Sequence, residues 1–303
     1  MNPTISQAYI DQFSHEVRLV YQQMTSRLKS TITNDPLAAE NGYFDFMGSI
    51  EAVERVGRSQ EVQETPPDIT RRKCTQRVFE ASIWEDKFEK KIISSPMSQK
   101  CAMTIAAALK RKQDQQIVTA ALGTAYGGRD GTTAIPFDTA NQEIAANYNE
   151  DGTTTTQNIT TGKIRFGIRK LTGAEALPDD NHSLVTVLYS SVQLQSMLRI
   201  AEELKVTGTT YESLMSGKPD VIFMGMRWIR VNDKILPYKT GTVRQVVMYG
   251  PDAINYCEVS DVSLEVNYIP NKKSWLISGD FQGDSARLRE NGVVSVLCDE
   301  SVI

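Results

Sequence analysis

Residues 94–132, SSPMSQKCAMTIAAALKRKQDQQIVTAALGTAYGGRDGT, constrain this chain more than any other stretch. Ser95 can cap a helix, Pro96 suits its first position and Gly123 suits its exit. From Pro96 to Leu122 the rise of a helix gives a rod of roughly 40 Å. Cys101, Ile105, Ala108 and Leu109, then Ile117, Ala120 and Ala121, line one side. Lys110, Arg111, Lys112 and Asp114 form a wet middle. The pattern predicts a helix lying across a surface, with alanines allowing close approach beneath it.

Just before it runs a charge-striped extended segment. From Glu51 to Lys91 nine acidic and nine basic residues interleave. Tyr43, Phe44, Phe46, Ile50, Val53 and Val56 form an outgoing limb, and Thr75 to Trp84 a return limb. Between them Gly57 to Lys73 is polar and broken by Pro66-Pro67. A hairpin with so few apolar residues is marginal alone. Mixed charge protects an exposed edge and sets register against a specific partner. An ordinary solvated hairpin is the competing reading.

Earlier still, Asn2-Pro3 opens a predicted helix through about Thr31. Its apolar stripe comprises Ile5, Tyr9, Phe13, Val17, Val20, Met24 and Leu28, and Asn34-Asp35-Pro36 breaks it. Beyond the spine, Gly127 to Gly131 and Asn149 to Thr161 read as loops. Lys163 to Ala176, capped by Thr160 or Thr161, and Gln193 to Leu204 read as helices. Leu184 to Tyr189 reads as a buried strand. Val221 to Val231, Arg244 to Tyr249, Val259 to Trp275 and Gly292 to Cys298 read as further strands. The class is α+β, without regular β-α-β alternation or internal repeats.

Composition narrows the chemistry. With 303 residues, 40% hydrophobic and 23% charged, the chain can bury a sizeable core. A net charge of -4 argues against a protein whose main task is coating nucleic acid. No apolar run reaches a membrane span, and the N-terminus lacks signal-peptide form, so a cytosolic site of synthesis is expected. Cys74, Cys101, Cys257 and Cys298 are widely spaced, which fits four small buried thiols rather than a zinc site or disulfide framework.

No catalytic set emerges. Gly123, Gly127, Gly128 and Gly131 follow a helix, at its negative end, where a phosphate cradle would need the positive one. Gly217-Lys218 lacks the rest of a P-loop. His15 and His182 are the two histidines, and neither has a nucleophile elbow beside it. Asp179, Asp180 and His182 read as an acidic turn, and Asp299-Glu300 as a solvated pair. The triplets Arg71-Arg72-Lys73 and Lys110-Arg111-Lys112 lack interleaved aromatics, which favours subunit salt bridges over nucleic acid. No cofactor and no metal is expected.

The order of features resembles the tailed-bacteriophage major capsid proteins. The resemblance is carried by the hairpin ending RRKCTQRVFEASIWEDKFEKK, the SPMSQKCAMTIAAALKRKQDQQIVTAALG spine, the loop AYGGRDGTTAIPF and the tail ARLRENGVVSVLCDES. It implies the Hong Kong 97-like fold. Residues 1–36 would be an N-terminal arm and 37–92 an extended loop. Residues 93–157 would be a peripheral domain with the spine, 158–264 an axial domain, and 265–303 strands returning to the peripheral domain. It also implies self-assembly as hexamers and pentamers around double-stranded DNA, in a virion built in the host cytoplasm, without membrane. Scaffolding, portal and decoration proteins would be further partners. Arg58, Glu61, Arg71, Arg72 and Trp84 are the expected intersubunit contacts. An encapsulin-like compartment shell or a cytosolic hydrolase are the alternatives. The Lys-Asn crosslink of some such shells has no trio placed here and is not predicted.

Overall fold

A computed structural model of the chain describes residues 22–48, 50, 52–54, 64, 66–87, 97–178, 181–203, 218 and 220–302. In chain order its first strands are β1 (Thr33–Pro36), β2 (Asn41–Met47), β3 (Ile69–Thr75) and β4 (Arg77–Asp86). Helix α1 (Met97–Leu122) follows, then β5 (Ala125–Gly127), β6 (Thr133–Ile135) and β7 (Glu143–Ile144). Next come α2 (Thr161–Gly173), β8 (Thr186–Tyr189) and α3 (Ser191–Glu203), then β9 (Asp220–Phe223), β10 (Met226–Arg230) and β11 (Tyr238–Thr240). The chain ends with β12 (Val243–Tyr249), β13 (Ile254–Ile269), β14 (Ser274–Arg287) and β15 (Val293–Asp299).

Helix α1 is the predicted spine. It lies on a four-stranded sheet of order β1-β13-β14-β4. Ile105 and Leu109 meet Ile277 and Phe281 there, with Phe79, Ala81 and Ile83 of β4 around them. Gly279 lets the helix settle, because a Cβ at that position would stand 2.8 Å from the Ile105 side chain and 3.1 Å from that of Leu109. Two further close-packed alanines, Ala107 and Ala121, are fully buried.

The second sheet has seven strands, in order β7-β15-β12-β8-β10-β9 with β11 beside β12. Ile164 and Leu171 of α2 and Met197 of α3 pack on one face, against Val187, Trp228, Val246 and Val296. Ile117, Val118 and Ala121 of the spine pack among Leu188, Ile229, Val247 and Tyr249 on the other. Burial on both faces leaves every residue of β8 and β15 buried, without the in-out alternation of a one-sided sheet. A third sheet, β2-β3-β5-β6, carries the base of the extended loop.

Local signals place several boundaries. Thr160 caps α2 as predicted, its side chain accepting from the Lys163 N–H at 3.2 Å. α3 begins earlier than expected because Gln193 Oε1 accepts the Ser190 N–H at 3.0 Å, a capping box. Gly128 and Gly131 take φ of 83° and 64° in the β5–β6 turn, so the glycine run serves tight turning.

Three expectations are corrected. Gln22 to Leu28 are not helical, and only Lys29–Thr31 form a 3-10 turn. The return limb does not pair with the outgoing one. β2 pairs with β3, while β4 leaves to pair with β14 along its full length. The strand predicted over Val259 to Trp275 is two, joined by a turn at Pro270–Lys272. Positions 264 and 265 both lie within β13, and β15 pairs with β12 in the seven-stranded sheet.

Candidate assembly interface

The base of the extended loop is riveted to its own subunit. Antiparallel pairing runs from Asn41↔Thr75 to Met47↔Ile69, and the Gly48 N–H adds a bond to Asp68 O at 2.7 Å. Arg71 grips Asp45 through two parallel bonds of 2.6 and 2.8 Å and donates to Arg129 O at 3.2 Å. Arg72 pairs with Glu290 at 2.7 Å. Two of the predicted contact residues are therefore engaged inside the subunit. Arg58 and Glu61 lie outside the described residues.

What this stem leaves uncovered is apolar. Met47 is 69% exposed and its cross-strand partner Ile69 64%, with Ile50 and Val53 more than half exposed beyond them. Trp84 on β4, the fifth predicted contact residue, is 43% exposed, with the Lys272 ammonium 4.1 Å from its ring centre. Strand β4 forms one edge of its sheet, and β13 is unpaired on its outer side from Val259 onward among the described residues. Large exposed side chains along open edges mark surfaces that a partner covers.

Elsewhere, around the seven-stranded sheet, lie clamps built from buried charge. Lys163 is fully buried, and its ammonium donates to the carbonyls of Ala146, Gln157, Asn158 and Leu297 at 2.8, 2.6, 3.1 and 3.0 Å. Burial pulls its pKa below the usual lysine range. The cage ties the 146–158 loop to α2 and β15. Arg244 is also buried. It pairs with Glu300, stacks 4.1 Å above the Tyr238 ring and donates to Leu236 O at 3.0 Å. Glu300 further accepts from Tyr238 Oη at 2.7 Å and Gln193 Nε2 at 3.0 Å. The pair read from sequence as solvated is thus a hub for β11, β12 and α3.

Glu300 has a pH signature. Burial pushes its carboxyl up, but the bonds from Arg244, Tyr238 and Gln193 outweigh it and hold the group below its ordinary 4.5. A depressed acid stabilises the fold above the unfolded-state value, and that share disappears as pH falls through the folded-state value. Glu300→Gln should therefore lower stability at pH 7 and leave less to lose on acidification below about pH 4.5. Urea midpoints at pH 7 and 3.5 check this: an undiminished acid loss in the variant would remove Glu300 from the account.

Catalytic chemistry finds little footing. No group of three or more His, Cys, Asp or Glu among the described residues could hold a metal ion. The Cys298 thiol is pushed up to about 12 by burial, and burial likewise raises Cys101. Cys74 is raised by its hydrogen bond with Cys257 and then by burial. These are packed thiols, with Cys74 and Cys257 beside Ala286 in one small apolar cluster. His182 sits in a surface turn with Thr172 Oγ1 3.5 Å away, whereas His15, Asp179 and Asp180 lie outside the described residues.

A phage capsid protein family model matches residues 5–300. The chain belongs to the phage capsid protein family. Solved shells share its fold. The Cyanophage Pam1 capsid asymmetric unit aligns with a TM-score of 0.66 and 12% identity, covering 97% of each chain. The capsid of Ralstonia phage GP4 gives 0.68 and 11%, covering 95% of this chain and 94% of that one. The head of Helicobacter pylori bacteriophage KHP40 gives 0.66 and 9%, covering 96% of each. Among curated protein sequences nothing matches at a significant level. This phage capsid protein has the Hong Kong 97-like fold expected from its sequence, and its function is that of a tailed-phage major capsid protein in the virion.

Proposed function

We propose that this capsid protein assembles as hexamers and pentamers into a closed icosahedral head around double-stranded DNA, with the loop above β2–β3 clasping a neighbouring subunit. The observation that carries the clasp is the row Met47, Ile69, Ile50 and Val53, apolar and open on a stem that Arg71 and Arg72 hold rigidly. A rigid stem presents the loop at a fixed angle, and modest repeated contacts add up across a closed shell. On this reading Arg58, Glu61 and Trp84 touch the neighbour, and Arg71 and Arg72 aim the loop. The sheet pairing supports an axial body of α2, α3, β7 to β12 and β15, and a peripheral body of α1, β1, β4, β13 and β14. Assembly takes place in the host cytoplasm with scaffolding and portal proteins, and the subunit performs no catalysis.

Deleting residues 57–68 tests the clasp. The cut stops short of Ile69–Arg71 because these pair with Asp45–Met47. The expected product is a folded subunit with an unchanged circular dichroism spectrum that forms no regular shells by sedimentation velocity and negative-stain imaging. Normal particles from the deletion would sink the clasp.

A further inference from the structure

Several cations of this acidic chain are neutralised within the subunit. Lys29 reaches Glu258 and Asp261, Lys110 reaches Asp261, Arg165 reaches Glu150 and Lys239 reaches Glu143. One cleft departs from that rule. It holds about 490 Å³ between the solvent side of the spine, the chain at Gln22 and Gln23, and the turn after β10. Arg111, Lys112 and Lys234 line it, together with Gln115 and Asn232, and among the described residues no carboxylate does. Arg111 Nη1 donates to Gln22 Oε1 at 2.6 Å and the Lys112 ammonium to Gln115 Oε1 at 3.2 Å. Neutral amides accept from both cations, and the Lys112 ammonium also stands 5.2 Å from the centre of the Phe79 ring, within electrostatic reach of Asp284. Asp114, two residues beyond Lys112 on the helix, is consumed by donors from Gln23, Ser26, Arg27 and Leu28.

We propose that this cleft is a phosphate-backbone site for the packaged nucleic acid. Three cations that form no ion pair with the described residues of the subunit, set among carboxamide donors, match a phosphodiester, which offers charge and acceptor oxygens without base identity. Contacts of this kind position a duplex and carry no sequence information. Among the described residues that line it, the cleft has no aromatic ring for stacking and no acidic group for reading bases. That accords with a wall that must accept any sequence of genome. A chain with net charge -4 repels DNA at long range, so adhesion is confined to such spots and stays reversible during packaging.

The inference rests on the capsid reading, but the two fail separately. The test uses the full chain, held below its assembly concentration, and a fluorescent 30-base-pair duplex read by anisotropy across a salt series. Each phosphate neutralised contributes about 0.9 to the slope of log affinity on log salt. The triple variant Arg111→Gln, Lys112→Gln, Lys234→Gln should flatten that slope by about 2 to 3 and still form shells of normal size. An unchanged slope overturns the proposal, as does a wild-type chain that shows no salt-dependent binding. Loss of shells with an unchanged slope also overturns it, and assigns the cleft to a neighbour's carboxylates. Shell formation is scored on its own, so either result leaves the capsid reading to its separate test. The single variant Arg111→Lys, with Lys112 and Lys234 kept, controls for folding and should retain the slope.

Discussion

Asp114→Ala is expected to free the chain around residues 23–28 from the spine and to cost about 3 to 5 kcal/mol, the range for breaking a buried charged network. The Asp114 carboxylate is fully buried at the middle of α1. Its Oδ1 accepts from Ser26 Oγ at 2.6 Å and the Leu28 N–H at 3.2 Å. Its Oδ2 accepts from Gln23 Nε2 at 2.5 Å and the Arg27 N–H at 3.2 Å. One side chain thus satisfies two backbone donors and two side-chain donors on a segment with no regular structure of its own. Removing it strands those donors in the interior, where each unpaired group costs about 1 to 3 kcal/mol. Leu28, fully buried against the spine, would follow the segment outward. Limited trypsin digestion reads the effect directly. Cleavage at Arg27 and Lys29 should accelerate at least tenfold, while Lys110 and Arg111 within the helix stay protected. Equal cleavage rates in wild type and variant would show that packing alone holds the segment.

That same carboxylate explains a misreading. The stripe ending Val20, Met24, Leu28 has helical spacing, yet the Arg27 and Leu28 N–H groups bond to Asp114 rather than to carbonyls four residues back. Spacing reports which residues are apolar; a captor from elsewhere in the chain overrides it. The spine was legible because its signals are local: small residues at repeating intervals, and Gly123 at the exit, whose N–H bonds to Thr119 O at 2.8 Å. Buried cations were not legible. Lys163, Arg244 and Arg287 sit in runs that look ordinary, and only their place on strands or helix faces otherwise apolar hints at burial. The pairing of β4 with β14, some two hundred residues away, leaves no trace in either segment, so the loop seemed wider than its two-stranded stem. The assembly surface was half visible. Charge striping marked the loop, but the exposure of Met47 and Ile69 depends on which face the stem turns outward.

Arg287→Met is expected to cost about 3 kcal/mol and to loosen the end of the spine before the rest of the molecule. Arg287 is 1% exposed. Its Nη1 donates to Ala121 O at 3.0 Å and Gly123 O at 2.7 Å, and its Nη2 to Ile135 O at 3.1 Å. The last carbonyls of a helix lack partners within it and carry the negative end of its dipole. A guanidinium set there answers both needs, and its plane lies 5.4 Å from the centre of the Phe137 ring. Burial draws the group's pKa down, yet a guanidinium stays charged. Methionine fills much of the volume and leaves three carbonyls unanswered. Lysine keeps the charge but loses the fork that spans Ala121, Gly123 and Ile135, so Arg287→Lys should cost about half as much. Hydrogen exchange resolves the location: amides of residues 117–123 and 133–135 should exchange faster in Arg287→Met, with α2 and α3 unchanged. Because the spine's end also packs on the seven-stranded sheet, this cap couples the two sheets that flank α1. Uniformly faster exchange across the chain would mean that the arginine supports the whole core and not this joint.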